Sequence, residues 1–161
     1  LTSFIDSNNN LWLGLDNGIT FINENSPFSY FGFSYDISTV YASVIHNGYL
    51  YVATNQGVFY HPWDVLFKEE PFALVKGTTG QASNIQVIDG QLICSHNRGA
   101  LVIEGGTATK TLDNVGYWVF KKIPNNPNAM IGSNYNGFAV FEKSANGLVA
   151  LGKKQLQWVL L

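Results

Sequence analysis

The segment Leu11–Ile22 reads LWLGLDNGITFI, two apolar runs joined by the turn Asp16-Asn17-Gly18. Apolar runs of this length around a glycine-containing turn predict a β-hairpin. The pattern returns three more times, and the turn glycines of the four copies are Gly18, Gly57, Gly99 and Gly137. They stand 39, 42 and 38 residues apart, a period typical of a four-stranded propeller blade. Leu11–Ile22 is therefore one unit of a repeat.

Two further columns of the aligned copies support this interpretation. The residue four positions before each turn glycine is small, which indicates that the second strand closely approaches another part of the fold: Gly14, Ala53, Ser95 and Ser133. The residue two positions earlier is large and mostly apolar: Trp12, Tyr51, Ile93 and Ile131. Glycine suits the turn itself, because a tight hairpin needs a positive φ at that position.

Each copy divides into four short strands, and no segment of ten or more residues has helical periodicity. We therefore predict an all-β fold, a partial β-propeller of four four-stranded antiparallel blades. The predicted blades span about 1–35, 40–77, 84–113 and 117–152, and 155–161 begins a further blade. The last strand of the first blade is predicted at 28–33. Two proline-containing connections, 61–71 and 124–128, are predicted to be irregular.

Composition excludes several classes of function. Only 12% of the 161 residues are charged and the net charge is −2, so there is no basic surface for nucleic acid and no polybasic membrane patch. The single cysteine, Cys94, cannot form an intrachain disulfide and is predicted to be a buried, unreactive thiol. The chain starts Leu-Thr-Ser-Phe, without an initiator methionine or a signal peptide, and is expected to be excised from a longer protein.

No motif in the sequence predicts catalysis, a metal or a cofactor. Glu69 and Glu70 are the only acidic pair fixed by local spacing, and they follow Lys68 in a proline-bounded loop that favours a solvated pair. The three histidines fall in different loops, without the spacing of a metal site: His46, His61 and His96. Asp6 and Asp89 occupy equivalent hairpin loops and are interpreted as turn formers. We predict that this segment is not an enzyme.

If successive strands alternate in direction, the turns between second and third strands lie at the same end as the connections between blades. That end is predicted to be a ligand or partner face, because amides, Arg and Tyr suit neutral or acidic sugars. The same residues also suit tight turns, so both interpretations stay open. The predicted face contains Asp16, Asn17, Asn55, Gln56, His96, Asn97, Arg98, Asn134, Tyr135 and Asn136, with Tyr35, Asp36 and Gln81 from the connections.

Trp63 is the tryptophan most suited to stacking on a sugar, because it stands in a proline-containing loop rather than a strand. The other tryptophans, Trp12, Trp118 and Trp158, fall in strands and are predicted to pack between blades.

The form D-x-x-x-N-L-W-L-G-L-x-N-G-I at Asp6–Ile19 resembles the two-component-regulator propeller repeat. That repeat occurs in periplasmic sensor regions of Bacteroidetes hybrid two-component systems and related one-component regulators. The second copy, Tyr49–Tyr60, is a fair match, whereas the third and fourth lack the aromatic residue and the glycine of the pattern. The resemblance thus covers the whole chain with declining specificity.

The resemblance implies a fragment of an extracytoplasmic, membrane-anchored regulator that responds to a glycan. It also implies a propeller of about seven blades, followed by an immunoglobulin-like domain, a membrane span and a kinase or DNA-binding output. A carbohydrate-active hydrolase or lyase built on a propeller is one alternative function. A plain protein-interaction propeller is another, because propellers host many functions.

Four blades of a larger ring are predicted to form an open fan whose end faces need a partner. If each end face exposes roughly 400 Å² of apolar surface, the pair forgoes about 20 kcal/mol at about 25 cal/mol per Å². The remaining blades of the parent chain, or self-association through the open blades, should cover these faces. The alternative is closure into a tight four-bladed ring in which 155–161 reaches the first blade. The isolated 161-residue chain should therefore self-associate in size-exclusion chromatography with light scattering. A cooperatively melting monomer would contradict this prediction.

Overall fold

The computed structural model describes residues 2–28, 35–63, 71–144 and 147–154. These ranges contain fifteen strands in four antiparallel sheets and no helix, which confirms the predicted all-β class. Among the described residues, no helix is long and apolar enough to cross a membrane. Residues 29–33 of the first blade's predicted last strand, the pair Glu69 and Glu70, and the predicted next blade at 155–161 lie outside the described residues.

The chain divides into two compact units, 1–31 and 32–161. The first unit holds one three-stranded sheet, blade 1, in the order β1-β2-β3. Its strands are β1 Thr2–Ile5, β2 Leu11–Leu15 and β3 Gly18–Ile22. Both faces of this sheet carry exposed large apolar side chains, Phe4 and Ile19 on one face and Ile5 and Leu15 on the other.

The second unit holds three four-stranded sheets, blades 2 to 4, each a meander that follows the chain. Blade 2 contains β4 Val40–His46, β5 Tyr49–Thr54, β6 Val58–Pro62 and β7 Ala73–Leu74. Blade 3 contains β8 Ala82–Ile88, β9 Gln91–His96, β10 Gly99–Glu104 and β11 Thr107–Asp113. Blade 4 contains β12 Tyr117–Ile123, β13 Asn126–Asn134, β14 Gly137–Ser144 and β15 Gly147–Lys154.

Regular strand structure extends into both proline-containing connections, which the sequence predicts to be irregular. Pro62 ends β6, which runs through His61, and it is tolerated because β7 pairs only with Phe59 and Tyr60. In blade 4, Ile123 pairs with Asn126, so only a two-residue turn replaces the expected loop at 124–128. Pro127 then lies at the start of β13, where the register with β12 is irregular.

The four turn glycines have the predicted positive φ, which confirms their equivalence. The φ values are 135° at Gly18, 148° at Gly57, 153° at Gly99 and 126° at Gly137. At Gly57, crowding is a second reason for glycine, because a Cβ would lie 2.7 Å from the carbonyl oxygen of Thr78. A side chain at this position would be strained in φ and would also collide with backbone.

Blade 3 is covered on both faces. Leu92, Cys94 and Leu101 belong to a buried cluster with Tyr51 and Val58 of blade 2. On the other face, Ile93 and Ala100 belong to a cluster with blade 4 residues Tyr117, Phe120, Met130, Ala139, Phe141 and Leu148. Burial raises the pKa of the Cys94 thiol to about 12, so the predicted buried, unreactive thiol is confirmed. The continuous apolar character of β9 and β10 follows from this double coverage.

Polar contacts also join neighbouring blades. The Lys76 N–H donates to the carbonyl oxygen of Gly106, and the Ala108 N–H donates back to the carbonyl of Lys76, both at 2.8 Å. Between the innermost strands, the Gln86 side chain donates from Nε2 to the Phe120 carbonyl at 3.1 Å. Its Oε1 accepts the Phe120 N–H at 3.4 Å. The Gln86 amide thus pairs with the backbone of β12 as a neighbouring strand would.

We predict that Gln86→Ala lowers the free energy of unfolding by about 1–3 kcal/mol, because it leaves both backbone groups of Phe120 without this partner. Chemical denaturation with intrinsic fluorescence measures the change. Gln56→Ala is the matched control, since the Gln56 side chain is exposed in a turn. Equal stability of the two variants would contradict the role assigned to Gln86.

Candidate functional site

The turns between second and third strands and the segments that lead into the innermost strands lie at the same end of each sheet in the second unit. In each blade, the first residue of this turn donates its N–H to a backbone carbonyl. The carbonyl belongs to the residue just before the innermost strand of the same blade. These bonds join Asn55 to Thr39 at 3.2 Å, Asn97 to Gln81 at 2.9 Å and Tyr135 to Gly116 at 3.1 Å. We call the exposed turn residues at this end the turn face: Asn55, Gln56, Asn97, Arg98, Tyr135 and Asn136.

The turns keep their shape through a capping side chain immediately before them. Thr54 Oγ1 accepts the Gln56 N–H at 3.0 Å, and Asn134 Oδ1 accepts the Asn136 N–H at 2.9 Å. His96 Nδ1 accepts the Arg98 N–H at 3.1 Å, so the neutral ring carries its proton on Nε2. All three capping residues are buried. Three different side chains therefore perform one structural task.

Two residues of the predicted face, His96 and Asn134, thus lie beneath it rather than on it. The His96 Nε2–H donates to the carbonyl oxygen of Thr78 at 3.1 Å, in the connection between blades 2 and 3. Asp16 and Asn17 form the corresponding exposed turn of the first unit.

The Arg98 side chain is exposed and also contacts the connection between blades 2 and 3. Its Nη2 donates to the Thr79 carbonyl at 2.6 Å, and the Gln56 carbonyl accepts the Gly80 N–H at 3.0 Å. The connection between blades 2 and 3 is therefore held from both sides by turn residues. A guanidinium has five N–H donors, so Arg98 retains donors for a ligand.

The strongest feature of the turn face is one that the sequence did not predict. Each innermost strand of the second unit has a β-bulge near the turn end, and the extra residues are Tyr41, Ser83 and Trp118. Bulges re-aim a side chain and are frequent next to functional sites. Trp118 and Tyr135 are 48% and 52% exposed, and their ring centroids lie 5.1 Å apart.

Trp118 is not a packing residue, contrary to the prediction for tryptophans in strands. Tyr117 and Phe120 are both buried although they stand three positions apart, because the bulge at Trp118 interrupts the alternation along β12. Gly116 makes room for the aromatic pair, because a Cβ there would lie 2.6 Å from the Tyr135 ring carbon that bears the hydroxyl.

Trp63 lies away from the turn face. It is 46% exposed, in keeping with its predicted exposure, but it follows the C-terminal end of β6. Its N–H donates to the Gly48 carbonyl at 2.8 Å, in the hairpin turn at the opposite end of blade 2. The structure therefore does not bring Trp63 together with the other predicted face residues.

The two hairpin carboxylates have structural partners. Asp6 accepts hydrogen bonds from Trp12 Nε1 at 3.0 Å and from the Asn10 N–H at 3.0 Å, and these bonds lower its pKa to about 2. Asp89 forms an ion pair with Lys122 of blade 4, which lowers the pKa of Asp89. In the described part of the chain, no three His, Cys, Asp or Glu residues are grouped as a metal site.

No protein-family model matches the chain, and no curated protein matches it. Among solved structures, it is similar to the extracellular domain of a hybrid two-component system from B. thetaiotaomicron. The TM-score is 0.62 and the identity 18%, over 92% of this chain. The chain spans 21% of the length of that structure. At this identity the similarity establishes the fold, and it agrees with the resemblance stated from the repeat motif.

Acid is predicted to destabilise the fold through His96. Burial lowers the pKa of His96 from its ordinary value of 6.5, and the nearby Arg98 adds to this effect. As the pH falls below 6.5, the unfolded chain takes up the proton first. The free energy of unfolding is therefore greatest above that pH and declines toward the lower folded-state pKa.

His96→Asn tests this, because an asparagine oxygen can cap the turn as Asn134 does. Its Tm should fall less than that of the wild type between about pH 7.5 and about pH 5. Parallel pH dependence of the two proteins, measured by thermal denaturation, would show that folding does not lower the pKa of His96.

Proposed function

We propose that this chain is the ligand-binding segment of an extracytoplasmic signal-transduction sensor, and that it binds a glycan at the turn face. The observation that carries the proposal is the exposed Trp118–Tyr135 pair beside polar turns in adjacent blades. Aromatic faces pack against the C–H surface of a sugar ring, and amides and a guanidinium bond its hydroxyl or carboxylate groups. The sensor assignment is supported by the fold shared with the extracellular domain described above.

In this proposal the protein is a membrane-anchored regulator whose periplasmic or extracellular part contains this segment. The remaining blades of the parent chain cover the end faces of the segment. A sensor needs to bind its ligand without converting it, and the hairpin carboxylates Asp6 and Asp89 are held in structural contacts. Asp6, with its lowered pKa, is ionised at neutral pH and unsuited to donate a proton as a glycosidase acid must.

The alternative of a protein-interaction propeller makes use of the same exposed aromatic pair. Tyr, Trp and Arg are the residue types that dominate protein interfaces. The two functions differ in their probes, because a glycan site binds isolated oligosaccharides and a protein interface does not.

The test is a glycan array with the full-length protein, followed by calorimetric titration of the tightest binder. Arg98→Ala should weaken that binding by about 1–3 kcal/mol through loss of a charge-assisted contact. Trp118→Ala should also weaken glycan binding. This substitution leaves the hydrogen bond from Arg98 to the Thr79 carbonyl intact. Lys121→Ala is the matched control, since it removes an exposed cation from β12.

Unchanged affinity across substitutions of Arg98, Asn97, Tyr135 and Trp118 would place the ligand elsewhere. Failure of every oligosaccharide to bind would favour the protein-interaction alternative.

A further inference from the structure

A concave surface lies at the opposite end of the second unit from the turn face, between blades 2 and 3. It is a cavity of about 200 Å³. The hairpin turn of β4 and β5 forms one side, and the turns of β8–β9 and β10–β11 form the other. We call it the hairpin cavity; the side chains that line it include His46, Asn47, Gln91, Leu92, Ile103 and Glu104.

The local sequence explains why space remains there. Asn47-Gly48 and Asp89-Gly90 have positive φ at both positions, 48° and 78° in the first turn and 51° and 79° in the second. These are the values of a two-residue type I′ turn, the most compact hairpin connection. Gly90 and Gly105 contribute no side chain to the cavity. The Tyr51 hydroxyl fixes the third turn by donating to the Gly105 carbonyl at 3.2 Å.

The floor of the hairpin cavity is apolar and its sides are polar. Leu92 and Ile103 are buried and form part of the core cluster between blades 2 and 3. The Asn47 amide donates to His46 Nε2 at 3.1 Å, which leaves a neutral His46 with a donor at Nδ1 and leaves the Asn47 Oδ1 as an acceptor.

Two further side chains supply unused hydrogen-bonding groups. Gln91 and Glu104 line the cavity from the ends of β9 and β10. Neither side chain makes a hydrogen bond within the ranges that the structure describes. Together with His46 and Asn47, they provide a carboxylate, two amides and an imidazole around one space.

We propose that the hairpin cavity binds one small neutral polyol, such as a single monosaccharide unit. Hydroxyl groups donate to Glu104 and accept from Gln91 and His46, while the C–H surface of the ligand packs on Leu92 and Ile103. None of the described residues that line the cavity is a lysine or arginine, which disfavours a phosphate or carboxylate ligand.

The volume sets the size of the ligand. At about 30 Å³ per water in the liquid, the cavity of about 200 Å³ corresponds to about seven waters. It is smaller than the pockets of about 300–1,000 Å³ that take drug-sized ligands. The space therefore accommodates one unit of monosaccharide size. This site is independent of the turn face, which lies at the other end of the same sheets.

Ligand-observed NMR on the full-length protein tests the proposal. The probes are glucose, galactose, mannose, xylose and glycerol, with ethylamine and inorganic phosphate as charged alternatives. At least one neutral polyol should bind, and Glu104→Gln or Gln91→Ala should weaken it about tenfold or more. Glu142→Gln is the matched control, because it makes the same chemical change at an exposed position in blade 4. It should leave the affinity unchanged.

Three results would overturn the proposal. The first is absence of polyol binding up to about 50 mM, a concentration that detects even very weak complexes. The second is binding of ethylamine or phosphate alone. The third is polyol binding that Trp118→Ala abolishes while Glu104→Gln leaves it intact, because that pattern would place the sugar at the turn face. Loss of turn-face glycan binding, by contrast, leaves the hairpin cavity unaffected.

Discussion

Each sheet of this protein has two apolar faces, and the rest of the structure depends on covering both. In blade 3, Leu92 and Cys94 pack toward blade 2 while Ile93 and Ala100 pack toward blade 4. Burial at about 25 cal/mol per Å² makes this stacking the main source of stability. A single blade could not meet the requirement, because both of its faces would remain in water. The repeat in the sequence is thus the consequence of a packing constraint between neighbours.

At the turn end, the residues that hold the turns in shape differ from the residues that are available to contact a ligand. Thr54, His96 and Asn134 are buried and hold the turns, whereas Asn97, Arg98 and Tyr135 project from them. The projecting residues can therefore change without loss of the turn. A bulge in each innermost strand adds a second variable position at the same level, filled by Tyr41, Ser83 and Trp118. This arrangement lets one scaffold present different chemistry in each blade.

The repeat signal was sufficient to predict the fold from the sequence, but not the roles of individual residues. Gly18, Gly57, Gly99 and Gly137 occur in phase because each has a positive φ that favours glycine, so the hairpins could be recognised. Crowding adds to the requirement at Gly57 and Gly99. The cap position escaped notice since threonine, histidine and asparagine share an acceptor atom and little else.

The bulge at Trp118 depends on the register between β12 and β13, which no local pattern records. The loop around Trp63 predicts that this side chain is exposed. The end of the sheet at which it lies could not be predicted, because that depends on how far β6 runs past Tyr60. Gln86 was also unpredictable, because its partner lies 34 residues away in the next blade. Local spacing therefore identifies strands and turns, while contacts between blades decide which side chains are available.

The connection between blades 2 and 3 shows where the true boundary of the repeat lies. Lys76 bonds to Gly106 and Ala108 of the following blade, while Val75 bonds to Val58 of the preceding one, each at 2.8 Å. The segment thus belongs to two blades at once. A duplication or deletion of one sequence period would separate the connection from one of these two blades. It would then lose about half of its hydrogen-bonding partners. Gene rearrangements in such a protein are therefore tolerated only where the neighbouring blade supplies equivalent carbonyl and N–H groups, which ties the evolution of each blade to that of the next.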